Sequence, residues 1–94
     1  MMDIDMLTVE LSQTLALPGP ELIYKGLLAL VQKEIRLAEL EISNLRERYD
    51  VFSKEELHQA IETGTIAAHP AWEDYIVWKN KEAHIKQLRQ LIEA

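Results

Sequence analysis

Apolar residues recur at alternating intervals of four and three through the middle of the chain: Tyr24, Leu28, Val31, Ile35, Ala38, Ile42, Leu45, Tyr49 and Phe52. The mean interval of about 3.5 residues lays them on one stripe of a single α-helix. A stripe of this kind has to be hidden against another helix, so the pattern predicts an all-α, coiled-coil-type protein. The apolar arc is not uniform. Leu27, Leu30, Leu37 and Leu40 widen it, and beyond Glu41 it narrows to the stripe alone. A wider arc needs more cover, so the first half of the helix is expected to be the more deeply buried half.

Turn signals divide the pattern. Leu17-Pro18-Gly19-Pro20 stops whatever precedes it, because each proline lacks an N–H and has a fixed φ. Pro20 and Glu21 then suit the first turn of a long helix over 20–52. Ser53 is a natural N-cap, and Glu56 stands three residues on, as a capping box requires. Phe52 and Leu57 occupy the hydrophobic-staple positions. A short helix over 53–64 follows, closed by Gly64 in a left-handed conformation. His69-Pro70 opens a last helix over 70–93, with Glu73 and Asp74 near its positive end. Ala71, Trp72, Tyr75, Ile76, Val77 and Trp78 make its first turns apolar almost all round. Ile85, Leu88, Leu91 and Ile92 continue a narrower face.

Residues 1–19 fit two patterns. Leu7, Val9 and Leu11 alternate with Thr8, Glu10 and Ser12, as in a half-buried strand. Ile4, Leu7, Leu11 and Leu15 also fit a helical stripe. The β-branched Thr8 and Val9 tip the balance slightly toward the strand. The expected plan is one helical domain over 1–94: an N-terminal strand or helix, a long helix, a short capped elbow and an antiparallel return helix, together a coiled-coil hairpin. Two long helices do not cover the wide arc. A homodimer joined along the Tyr24-to-Phe52 seam, with a four-helix core, is the simplest completion.

Composition narrows the partners. The chain has 94 residues, a formal net charge of −6 and no cysteine. Disulfides, thiolate metal sites and cysteine nucleophiles are therefore excluded. Residues 1–20 contain Asp3, Asp5 and Glu10 and no Lys or Arg. That is the reverse of a signal peptide's basic start. No apolar run approaches the roughly 20 residues that span a bilayer. A cytoplasmic location and no membrane partner are expected. Nucleic acid is disfavoured, because no basic patch offers cover for phosphates.

Site chemistry is sparse. His58 and Glu62, and His69 and Glu73, are each four apart, but no third ligand converges on either pair, so no metal site is expected. His84 stands alone. Glu34 and Glu41 border the apolar arc, where they read as flanking residues that pair with Lys or Arg of a facing helix. No Gly-rich phosphate loop and no nucleophile–base pair is recognisable, so no enzymatic activity and no cofactor are expected. The cluster Trp72, Tyr75 and Trp78 is the distinctive local feature. Trp78 shares a helical line with Ile85 and Ile92 and is assigned to the core. Trp72 shares the other side with Ile76, so Trp72, Tyr75 and Ile76 form the candidate partner surface, tryptophan and tyrosine being favoured interface anchors.

The segments Leu45-Arg46-Glu47-Arg48-Tyr49, Ser53-Lys54-Glu55-Glu56-Leu57, Gly64-Thr65-Ile66 and Trp72-Glu73-Asp74-Tyr75 with Trp78 resemble a family of small helical archaeal and bacterial proteins. That family occurs as the antitoxin member of toxin–antitoxin gene pairs. It carries a tyrosine-glycine-aliphatic turn where Tyr49-Asp50-Val51 stands here. The resemblance implies a protein-binding module that neutralises a co-encoded toxin by direct contact. Leu7-Thr8-Val9-Glu10-Leu11 also resembles the strand of ribbon-helix-helix antitoxins, which would imply a DNA-binding regulator, although Glu10 would then face phosphate. A stand-alone homo-oligomeric structural coiled coil is the alternative that needs neither toxin nor DNA.

Overall fold

The computed structural model describes residues 2–93 and contains four helices: α1 (Ile4–Leu15), α2 (Gly19–Tyr49), α3 (Lys54–Glu62) and α4 (Ala68–Glu93). No strand occurs among the described residues. The long helix, the short capped helix and the antiparallel return helix are all present. The chain divides into two units, Met1–Lys33 and Glu34–Ala94, and the division falls within α2.

In the first unit the N-terminal segment is a helix, which corrects the lean toward a strand. Asp3 caps it: Oδ1 accepts from the Met6 N–H at 2.8 Å. Thr8, read as a strand former, donates its hydroxyl back to the Ile4 carbonyl at 2.6 Å, a bond that helices accommodate. The helix stops at Ala16, which is left-handed at φ 55°, and the Leu17 N–H closes on the Ser12 carbonyl at 3.1 Å. Helical capping therefore outweighs the modest β preference of Thr8 and Val9. The strand on which the ribbon-helix-helix resemblance rests is absent.

Nothing in α1 is buried, and the buried residues of α2 begin only at Ile35. The wide arc is thus the less covered part of the long helix, the reverse of the expectation. Leu28 and Val31 are half-buried, while Tyr24, Leu27 and Leu30 are exposed. The arc is wide, but the chain supplies no second layer of its own to cover it.

The second unit contains the core. Ile35, Ala38, Ile42 and Leu45 of α2 are buried, as are Leu57 of α3 and Ala71, Trp78 and Ile85 of α4. The α4 residues recur every seven positions, so they too form a single line. Ion pairs fix the antiparallel sense: Arg48 with Asp74 at 2.9 Å, Glu41 with Lys81 at 2.8 Å, and Glu39 with Arg89 at 2.5 Å. Glu41 thus pairs across the hairpin as a flanking residue should. Tyr49 is half-buried and donates its hydroxyl to Asp74. Burial first, and then the Asp74 carboxylate, raise the Tyr49 pKa above its ordinary value. From Ile35 to Leu45 the stripe is occupied by the chain itself, so this stretch of the expected dimer seam is not free for a second copy. Tyr24 and Phe52, at its ends, are exposed.

At the elbow, Ser53 Oγ accepts from the Glu56 N–H at 3.2 Å, and Glu56 reaches back to accept from the Phe52 N–H at 2.9 Å. The Ser53 cap is formed, and the return bond from Glu56 goes to the residue before the cap rather than to Ser53 itself. The staple is not formed: Leu57 is fully buried, whereas Phe52 is 84% exposed, so Phe52 contributes nothing to this core. The orientation follows from the preceding residue. Asp50 is left-handed at φ 52°, and the Val51 N–H bonds the Arg46 carbonyl at 3.2 Å. This is a Schellman closure, which the chain leaves at a sharp angle. Asp50→Gly is expected to stabilise the protein by about 1 kcal/mol, by relieving the side-chain strain and removing a carboxylate from the negative helix end. Urea unfolding checks this through a higher midpoint at an unchanged slope.

The start of α4 is interrupted. His69 is extended (φ −111°, ψ 127°), as a residue before proline prefers. The regular helix therefore begins at about Pro70, where the sequence places it.

Candidate protein-binding site

α3 crosses α4 beside its first turns and brings His58 to the aromatic residues there. Trp72 and Tyr75 are three apart on α4, and their rings stack with centroids 5.4 Å apart and planes inclined by 23°. His58 tilts over both, at 5.0 Å from Tyr75 and 5.9 Å from Trp72. Its Nε2 lies 3.5 Å from the Glu62 carboxylate, one turn along α3. Three rings from two helices thus hold one another in place. Stacked and tilted arrangements of this kind add modest attraction to the area that they hide.

Exposure separates the two tryptophans. Trp78 is fully buried, and its indole N–H donates to Glu82 Oε2 at 3.1 Å. The Arg46 guanidinium lies over its ring at 5.6 Å. Glu82 also binds Lys54 at 2.6 Å, so it joins α3 to α4. The Lys54 pKa is raised, chiefly by its hydrogen bonds to Glu55 and then Glu82. Trp72 is 46% exposed, and Ile76, one turn along the same side, is also exposed. Tyr75 is half-buried. The structure therefore brings Trp72, Tyr75 and Ile76 to one side of α4, away from the Ala71–Trp78–Ile85 line.

His58 is the member of this cluster that sequence reasoning did not assign to it. Its spacing to Glu62 points to a shared helix face; the sequence pattern suggests packing of the aromatic cluster against Tyr49, Phe52 and Leu57 at the elbow, but not which face of α3 meets Trp72. His69 pairs locally, with Nδ1 at 3.1 Å from Glu73. The Glu73 carboxyl is held below its ordinary pKa, first by its own backbone N–H and then by His69. Among the described residues no three His, Asp or Glu side chains converge to hold a metal ion.

A groove of about 680 Å³ runs between α2 and α4, lined by Glu39, Ile42, Arg46, Glu82, Ile85 and Arg89 among others. Its acids Glu39, Glu82 and Glu93 are balanced by Arg46, Lys86 and Arg89, so it concentrates neither sign. No single helix among the described residues is long and apolar enough to cross a membrane.

No curated protein and no solved structure matches the chain. Residues 2–94 do match one family along nearly the whole length, and on that match the chain belongs to the family described as "Uncharacterized protein MJ0235 family".

Proposed function

We propose that this protein is an antitoxin-like binding module that neutralises a co-encoded toxin by direct contact. The half-exposed Trp72 ring, stacked on Tyr75 and braced by His58, carries this reading. A large aromatic surface that is already rigid loses little side-chain entropy on binding, and interfaces concentrate their energy in such anchors. The exposed Ile76 extends it with apolar area. The resemblance of the segments around Tyr49, Ser53, Gly64 and Trp72 to antitoxin-type proteins names the class of partner.

The test is co-expression of the chain with the product of the adjacent gene, followed by co-purification and a growth assay. A neighbour that is toxic alone, harmless together with this chain, and retained by it supports the reading. A neighbour that neither binds nor harms the host refutes it. Trp72→Ala is expected to weaken the complex by about 2 kcal/mol or more, roughly 30-fold in Kd. Because the ring is half exposed, the same change is expected to lower fold stability by under about 1 kcal/mol. Titration calorimetry and a melting curve on the same sample read the two effects separately.

A further inference from the structure

We propose that residues 4–33 form a homodimerisation surface in which α1 of one protomer packs on the first part of α2 of a second copy, and reciprocally. The surface involves none of the residues of the Trp72 cluster, so it stands or falls independently of the proposed toxin-binding role.

Area is the first argument. Ile4, Met6, Leu7, Val9, Leu11, Leu15, Ile23, Tyr24, Leu27 and Leu30 are each between 39% and 79% exposed. Full burial of one aliphatic side chain hides roughly 100 Å², so these residues, without Met6 and Val9 on the far side of α1, offer on the order of 450 Å² per chain. A two-fold pair would then hide about 900 Å² from side chains alone, and flanking polar atoms bring it toward the range of stable dimers. An apolar patch of this size on a single chain often marks a functional surface.

The arrangement of that area points to a second copy. Ile4, Leu7, Leu11 and Leu15 lie on one face of α1, and Ile23, Leu27 and Leu30 follow the interval of four and three on α2. Each chain therefore carries two unpartnered apolar helix faces. A two-fold pair matches the first face to the second twice and closes, as an isologous interface requires. Two helices from each chain give four, enough to enclose an apolar centre. Charge agrees with this pairing. Asp3, Asp5 and Glu10 accompany α1 with no Lys or Arg before residue 21, whereas the stretch 21–33 contains Lys25 and Lys33 against the single Glu21. Lys25 pairs with Glu21 on its own helix at 3.6 Å, so Lys33 is the cation that each copy brings toward the other's acidic α1. The same acidity disfavours an anionic lipid surface as the occupant.

Sedimentation equilibrium of the full chain at micromolar concentration tests the proposal, with Leu11→Glu and Leu27→Glu as variants. The wild type is expected at twice the 10.9 kDa chain mass. Each variant is expected to raise the dimer Kd by about 100-fold or more, because it places a carboxylate in an apolar interface. Both substitutions lie outside Glu34–Ala94, which contains both tryptophans, so the combined emission of Trp72 and the buried Trp78 reports whether that unit remains folded. Monomeric variants with unchanged tryptophan emission support the interface. A wild type at 10.9 kDa throughout overturns it, as does a dimer that survives both substitutions. Monomeric wild type that co-sediments with phosphatidylcholine–phosphatidylglycerol vesicles also overturns it and assigns the surface to lipid.

Discussion

Trp78→Ala is expected to destabilise the protein by about 3–5 kcal/mol, a large share of the roughly 5–15 kcal/mol that holds a small domain together. Trp78 and Leu57 are the largest fully buried side chains. Trp78 lies between Ala71 and Ile85 on the inward line of α4, close to the Arg46 guanidinium. Truncation removes the largest piece of apolar surface in the core and leaves a cavity that two braced helices cannot collapse to fill. It also deprives Glu82 of the indole N–H, although Lys54 still holds that carboxylate. Trp78→Phe retains most of the volume and is expected to cost appreciably less. Thermal unfolding followed by far-UV circular dichroism ranks the three proteins. An alanine variant that melts with the wild type would mean that the α2–α4 hairpin does not depend on its central ring.

Ile42→Asp is expected to cost about 4 kcal/mol or more at neutral pH, because it desolvates a carboxylate in an apolar seam where Arg46, one turn on, is already engaged with the Trp78 ring and the Phe52 carbonyl. Ile42 is 5% exposed and lies in the groove beside Ile85. The nearby acids Glu39 and Glu82 are already paired with Arg89 and Lys54, which leaves those cations engaged. The effect should depend on pH. Desolvation raises the pKa of the introduced carboxyl in the folded state, so its penalty is fully present above that raised value and declines as pH falls toward the ordinary value of about 4. Circular dichroism from pH 7 to pH 4 therefore should show helix returning to the variant on acidification. Ile42→Val, at a cost of about 1 kcal/mol, is the control for shape alone. If both variants unfold at the same denaturant concentration, the seam at Ile42 is wetter than its burial implies.

The second unit was legible in the sequence because its signals agree with one another. The four-and-three interval through Ile35, Ala38, Ile42 and Leu45 found its match in Ala71, Trp78 and Ile85, and the Ser53–Glu56 cap set the elbow between them. The assignments of Trp78 inward and Trp72 outward followed from helical phase alone. Other positions were not legible, for local reasons. In α1 an alternating pattern and a helical one share Leu7 and Leu11, and the Asp3 cap decides between them. Phe52 continues the interval by letter, but the left-handed Asp50 ends the helix before the interval reaches it. Periodicity reports which face needs cover, and it does not report whether the same chain provides that cover. The wide arc from Leu27 to Leu40 was therefore read as deeply buried, when most of its large side chains are exposed in the single chain.

Among the described residues the core of the second unit contains no buried polar or charged side chain. Apolar side chains tolerate sliding past one another, so such a core by itself distinguishes poorly between alignments of α2 and α4 that differ by one turn. That choice falls to the rim, to Glu39 with Arg89, Glu41 with Lys81 and Arg48 with Asp74. Apart from the part-buried Asp74 these side chains are largely exposed, and each pair adds little to stability. A shift of about 5.4 Å along α4, one helical turn, would break all of them together. The charges at the edge of the hairpin thus act as a key for its alignment more than as a source of its strength, and concentrated salt would loosen that key before it weakened the core.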